Sequence, residues 1–226
     1  MRRPVILDGG MGRELERMGA PFRQPEWSAL ALMELPEIVR DVHSQFINSG
    51  ADIITTNSYA VVPFHIGQAR YDADGRDLIA LSGKLARDAA DKADEDVQVA
   101  GCIPPIFGSY QPDLFDAVKA MPIINAFFEE QAPYVDLWLA ETLSSKAEAE
   151  AVCKAYNGRK KPLWLAFCLA EDDPSKLRSG EDIADIIAYT LNETPAQALL
   201  FNCCAIEDIE DAITLARSIA PSPDDL

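Results

Sequence analysis

Short apolar runs recur along this chain, and each stops at a small cluster of polar, chemistry-capable residues. Val5-Ile6-Leu7 precedes Asp8-Gly9-Gly10, and Ala51 to Ile54 precedes Thr55-Thr56-Asn57. Val97 to Ala100 precedes Gly101-Cys102, and Val135 to Ala140 precedes Glu141-Thr142. Leu163 to Phe167 precedes Cys168, and Ala198 to Phe201 precedes Asn202-Cys203-Cys204. Strands buried on both faces read as continuous apolar runs, because helices cover the two sides of a parallel sheet. In such architectures ligands gather at the carboxyl ends of the strands. One repeat therefore predicts both a fold and the side of it that carries function.

Helical patterns separate the runs. Pro36 to Ser49 has Pro36 suited to a first turn, Ile38, Val42, Phe46 and Ile47 on one face, and Gly50 as terminator. Met11 to Met18, Asp77 to Ala93, Ser145 to Tyr156, Gly180 to Leu191 and Ile206 to Ile219 read similarly. Ser145 three residues before Glu148 is a capping signal. Asp113 to Gln131 reads as two helical pieces broken at Pro122. Loops are expected at Pro21 to Pro25 and Ala60 to Gly75, and the segment after Ala220 reads as a loop. Strand followed by helix, repeated, is the βαβ rhythm. The expected class is α/β, of the (β/α)8 TIM-barrel type, with about six βα units present in one domain over residues 1–226. An open α/β sheet fits the periodicity equally well.

The formal net charge of −17 argues against a nucleic-acid partner or an anionic membrane, both of which need a basic face. No run approaches the ~20 apolar residues of a membrane helix. Five cysteines at irregular spacing suit a reducing, cytoplasmic setting rather than a disulfide framework.

Asp8-Gly9-Gly10-Met11-Gly12 offers a carboxylate for an amine or metal and glycines that let backbone approach a ligand; a capped tight turn explains it as well. Glu141 follows Leu137 to Ala140 at the edge of a buried region, so it needs a cationic ligand, a donor or a raised pKa; a salt-bridged or capping Glu is the plainer reading. Cys203 and Cys204 lie on opposite faces of a strand, so at most one meets a central site. A thiolate suits zinc or nucleophilic chemistry, although most cysteines are small buried hydrophobes. Cys102 and Cys168 are expected to pack in the sheet. Trp27 and Tyr59, in or near the long loops, wall a pocket or pack a loop. His43 is expected to be structural, His65 is open, and no CxxC, HExxH or G-x-S-x-G motif is present.

Together these segments resemble the homocysteine S-methyltransferase family from Val5 to about Ile209. Ile6 to Leu15 is similar to the family's opening motif, with Arg13 where Thr is common. Pro25-Glu26-Trp27-Ser28-Ala29, His43 to Tyr59, Pro104-Pro105 with Gly108-Ser109-Tyr110, Ala140-Glu141-Thr142 and Phe201-Asn202-Cys203 follow in the family's order. The resemblance implies a (β/α)8 barrel that binds zinc through three cysteines and moves a methyl group from a sulfonium, ammonium or folate donor to homocysteine. Cys203 matches the first zinc cysteine and is the implied catalytic and metal residue. Asp8 and Glu141 match carboxylates near the homocysteine amino group, with Gly9 close by. Trp27 and Tyr59 match pocket aromatics, and Asn57 a polar position at the mouth. Zinc lowers a thiol pKa, so that a nucleophile exists at neutral pH.

The chain departs from the family in lacking the later Gly-Gly-Cys-Cys motif that supplies the other two zinc cysteines. The zinc ligand set is therefore incomplete, and the expectation is a truncated form of a longer member. The leading reading is methyl transfer from S-methylmethionine or S-adenosylmethionine to homocysteine, giving methionine, with small-molecule substrates and a homo-oligomer allowed. The alternative is a non-catalytic, metal-free derivative that binds an amino acid or a partner chain through the same pocket. A third reading is a barrel enzyme using Asp8 and Glu141 as an acid–base pair.

Overall fold

The structure, a computed structural model, describes residues 3–220. Met1-Arg2 and the terminal segment read above as a loop lie outside the described residues. Five strands lie in chain order in one sheet: β1 (Ile53–Thr55), β2 (Gln98–Ile103), β3 (Leu137–Leu143), β4 (Leu163–Phe167) and β5 (Ala198–Phe201). β1 pairs parallel with β2, Ile54 opposite Val99, and β4 pairs parallel with β5, Leu165 opposite Leu199. The class is α/β with a parallel sheet whose strands follow one another in sequence order, as in barrels of the (β/α)8 type. The first predicted strand is reduced to a parallel bridge between Leu7 and Ile53, and Val5 and Ile6 are exposed.

The chain divides into two compact units. The first comprises residues up to Cys102 together with Ala126–Trp138. It contains α1 (Met11–Arg17), α2 (Ser28–Glu34), α3 (Pro36–Asn48), α4 (Pro63–Ile66) and α5 (Gln68–Ala90), with β1 and β2. Its core is formed by Val39, Val42, Ile53, Ile54, Ile79, Val99 and Phe128. Gly101 of β2 shows how tightly the sheet packs. A Cβ there would lie 2.8 Å from the Trp138 ring, so no larger residue fits without displacing it. Trp138 in turn meets Phe128 edge-to-face at 4.8 Å between centroids.

The second unit comprises Ile103–Asn125 and the chain from Leu139 onward. It holds most of β3, all of β4 and β5, α7 (Lys146–Tyr156), α8 (Ile183–Glu193) and α9 (Ile206–Ile219). Leu143, Val152, Leu163, Leu165, Phe167, Ile186 and Ile187 are its buried centre. The predicted cap of α7 is present: Ser145 Oγ accepts from Glu148 N at 3.3 Å. Glu148 Oε2 reaches back to Ser144 N at 2.7 Å. β5 is only half-buried along its length, and α9 buries Ala212 and Ala216 alone.

Three boundaries differ from the sequence reading. The expected loop from Ala60 to Gly75 is mostly α4 and α5, because Gln68, Arg70, Asp72 and Asp74 tolerate the solvent face of a helix and Ala69 and Ala73 favour one. Pro122 does not break α6 (Ala117–Gln131). It removes only the partner of the Val118 carbonyl, at an exposed position, while Ala120, Ile124, Phe127 and Phe128 bury the opposite face. β3 runs through Glu141 and Thr142 to Leu143, and β2 through Gly101 and Cys102, so these residues lie within strands rather than beyond them. Among the described residues no helix is long and apolar enough to cross a membrane.

Candidate functional site

The residues singled out in the sequence fall into two groups, one in each unit. Asp8, Gly9, Trp27, Asn57 and Tyr59 belong to the first, and Glu141 and Cys203 to the second.

In the first unit Asp8 follows the Leu7 bridge, and its amide donates to the Ile53 carbonyl at 2.9 Å. Its carboxylate accepts from Thr55 N at 2.7 Å and from Thr55 Oγ1 at 3.0 Å. Burial pushes the Asp8 pKa up from 3.8 to about 6, against the opposing pull of the two Thr55 bonds. Asp8 is thus ionised at neutral pH but titrates just below it. Gly9 lies under the Phe46 ring, which a Cβ would meet at 3.0 Å, so a side chain there would have to push that ring aside.

Trp27 is left-handed, with φ 48°, and sits immediately before α2. Its ring is 40 % exposed and packs edge-to-face on Phe22 at 5.7 Å. An exposed aromatic on a strained backbone is a feature met at binding sites more than in cores. Asn57, in contrast, is buried, and its Nδ2 donates to the Ser28 carbonyl at 3.1 Å. In this arrangement it ties the strand end to the start of α2. Tyr59 is half-buried two residues on. Beneath this layer Gln131 organises a buried network that sequence reading did not find. Its Oε1 accepts from Thr56 Oγ1 at 2.5 Å and its Nε2 donates to the Cys102 carbonyl at 3.1 Å. Cys102 is packed in the sheet as expected. His43 is fully buried, also as expected, and His65 Nδ1 donates to the Pro25 carbonyl at 3.1 Å.

In the second unit the ends of β3, β4 and β5 converge on Asn202. Its Oδ1 accepts from Thr142 N at 3.0 Å and its Nδ2 donates to Thr142 Oγ1 at 3.0 Å. Its backbone amide donates to the Phe167 carbonyl at 3.1 Å. This clamp holds Thr142 left-handed, at φ 61°, inside a strand. Cys203, next in sequence, is also left-handed at φ 53° and exposed. Its sulfur lies 3.7 Å from Asn202 Nδ2 and 3.9 Å from Thr142 Oγ1. The buried Cys168 thiol donates to Asn202 Oδ1 at 3.8 Å and neighbours the Cys203 sulfur. The neighbouring Cys168 thiol lowers the Cys203 pKa most, to about 5, helped by the Tyr110 and Thr142 hydroxyls and the Arg178 charge, while burial opposes it. The same contact, with burial, pushes the Cys168 thiol up. The thiolate is therefore favoured on Cys203 rather than on Cys168. Cys204 turns away and contacts the Asn202 carbonyl at 3.3 Å. Glu141 is half-buried in β3.

Cys168, Tyr110, Thr142 and Arg178 were not anticipated as partners of Cys203. A cysteine directly after a predicted strand was the available signal for the first; the others sit in loops or at a strand end whose course the periodicity does not give. Among the described residues no three His, Cys, Asp or Glu side chains gather as a metal site. Cys203 and its neighbour Cys168 do not amount to the three-ligand zinc set that the resemblance implies.

The profile of the family described as Homocysteine S-methyltransferase matches residues 5–223. The chain is 31 % identical to the homocysteine S-methyltransferase of Escherichia coli (strain K12), over 97 % of this chain and 75 % of that protein. It is 29 % identical to homocysteine S-methyltransferase 1 of Zea mays, over 92 % of this chain and 72 % of that protein. Its structure superposes with a TM-score of 0.80, at 29 % identity, on the metallated form of the homocysteine methyltransferase MmuM from Escherichia coli, covering 97 % of this chain and 81 % of that one. The chain belongs to the homocysteine S-methyltransferase family.

Proposed function

We propose that this protein is a methyltransferase that moves a methyl group from a sulfonium donor, S-methylmethionine or S-adenosylmethionine, to the sulfur of homocysteine, giving methionine. The observation that carries the reading is the family match over residues 5–223; it is supported by the exposed sulfur of Cys203, which the resemblance makes the first zinc cysteine, held 3.9 Å from Thr142 Oγ1 and 3.7 Å from Asn202 Nδ2. In the reaction the homocysteine sulfur forms a bond to the methyl carbon as the donor's S–CH3 bond breaks. The electron pair of that bond stays on the departing thioether, and the homocysteine thiol proton leaves to solvent. Residues 1–226 act as a single homocysteine-binding domain in a cytoplasmic setting, consistent with five free cysteines.

Asp8, as a carboxylate, is assigned to the substrate ammonium, with Gly9 giving backbone access. Trp27, Asn57, Tyr59 and Glu141 are assigned to substrate binding. Zinc is the metal that membership implies, and when bound it supplies a thiol held as thiolate at neutral pH. This chain offers Cys203 to it but no three-ligand set among the described residues. That same observation favours a second reading, a metal-free protein that binds an amino acid without turnover.

The deciding measurement is methyl transfer from S-methylmethionine and from S-adenosylmethionine to homocysteine, run with zinc analysis of the same preparation. Product formed by the wild type and lost in Cys203→Ala supports the enzyme. Homocysteine binding with no product and no zinc supports the second reading. Activity that survives a chelator but not Glu141→Gln would favour acid–base chemistry instead.

A further inference from the structure

The loop after β4 carries one arginine whose recognition edge is half used. Leu169 bridges Leu177, which is fully buried, and Ser179 N donates to the Ser144 carbonyl at 3.1 Å. Arg178 stands between these two anchors, so its backbone is fixed. Its guanidinium lies over the Tyr110 ring, 4.7 Å from the centroid, and Tyr110 in turn neighbours Cys203, which adds to burial in pushing the Tyr110 hydroxyl up. One aromatic ring therefore separates this cation from the sulfur. Arg178 Nη2 donates to Glu171 Oε1 at 2.9 Å. Nε, on the same edge of the guanidinium, is buried and has no hydrogen-bond partner among the described residues.

An arginine edge presents Nε and Nη2 as two parallel donors matched to the two oxygens of a carboxylate. Leaving a buried donor unpaired is costly, and the cost is recovered when a ligand supplies the acceptor. Glu171 fills only one position, and its side chain is 83 % exposed against 18 % for Arg178. An ion pair with one partner so exposed holds weakly, because water and salt compete for it. In a chain of net charge −17, an anchored, half-satisfied cation near Cys203 is a local exception that favours an anion.

We infer that Arg178 is the anchor for the α-carboxylate of an amino-acid ligand at the Cys203 end of the second unit, and that Glu171 holds its place until the ligand arrives. The inference rests on the amino-acid reading given above and deepens it. The ligand that fits is the amino-acid methyl donor, because the homocysteine ammonium is already assigned to Asp8; homocysteine is the alternative source that the test separates. On binding, Glu171 swings to solvent, Tyr110 shifts enough to open the edge, and the carboxylate takes Nε and Nη2 together.

The test is calorimetric binding on the full chain, with ligands paired by the presence of a carboxylate. Homocysteine is compared with homocysteamine, and S-methylmethionine with its decarboxylated dimethylsulfonium amine. Arg178→Gln is expected to weaken the acid of one pair by about tenfold or more and leave its decarboxylated partner within roughly twofold. Which pair responds identifies the source of the carboxylate. Arg178→Lys is expected to recover part of the loss, since it keeps the charge and loses the fork. Glu171→Ala is expected to tighten the same acid, an outcome that a merely structural Arg178 would not produce. Equal losses for acid and amine, no loss for either acid, or no tightening in Glu171→Ala would overturn the assignment. Methyl transfer is read separately: Arg178-dependent binding without product sustains this inference and refutes the enzyme reading.

Discussion

At the scale of single residues, Asp8 and Asn202 carry the most testable chemistry. The Asp8 carboxyl has a pKa of about 6 in the folded chain against an ordinary 3.8, so between those values the folded state binds more protons than the unfolded one. Stability therefore falls as pH rises from about 4 to about 6, the reverse of a salt-bridged aspartate. Binding moves the other way. Affinity for an ammonium ligand is expected to drop as pH falls through about 6, and Thr55→Val, which removes a bond to the charged form, should move that midpoint upward. Calorimetry across pH 5 to 8, on wild type and variant, checks both. Asn202→Ala leaves Thr142 N without its acceptor and should cost about 1–3 kcal/mol in urea unfolding. The positions of Asp8, Glu141 and Cys203 in the sequence were legible because each follows an apolar run. Their surroundings were not. The Cys168–Cys203 contact depends on two left-handed residues, Thr142 and Cys203, and no periodicity encodes a positive φ on a non-glycine residue.

At the scale of elements, α3 shows both the reach and the limit of pattern reading. Its bounds, its starting Pro36 and its buried Val42 and Ile47 follow from the sequence, whereas Val39 is buried in place of Ile38 and Phe46, which are half-buried. His43 lies on the same buried face, and neither ring nitrogen has a hydrogen-bond partner among the described residues. Burial depresses its pKa from 6.5 to about 3, so the folded state binds fewer protons than the unfolded one between those values. The contribution is fully present above about pH 6.5 and is lost as pH falls toward 3. His43→Leu should therefore raise stability at pH 7 by about 1 kcal/mol or more and flatten the acid-side loss. Urea midpoints at pH 4.5 and 7 for both proteins provide the measurement. The α6 helix marks the limit in the other direction. Local reasoning at Pro122 predicted a break, and the burial of Phe127 and Phe128 overrode one lost hydrogen bond. The first strand failed for a related reason: three apolar residues suffice for a pattern, but Val5 and Ile6 have nothing to bury against.

At the scale of the whole molecule, burial is graded along the chain. β2 and β3 are almost wholly enclosed, whereas β5 is half-exposed throughout and α9 leaves Ile206 and Ile213 in contact with solvent. Amide hydrogen exchange should follow this gradient, slowest in β2 and β3 and fastest among the regular elements in β5 and α9. Mass-spectrometric exchange at peptide resolution reads it directly, and protection of β5 equal to that of β2 would contradict it. The α/β class was legible because strand and helix periods alternate so regularly; the division into two compact units was not, since no linker or shift of composition marks it. The order of the strands has a bearing on how such a chain is made. Each one hydrogen-bonds the strand that precedes it in sequence. A nascent polypeptide leaving the ribosome can thus add its sheet one rung at a time, each new rung meeting a neighbour already delivered, without waiting for distant segments to be synthesised.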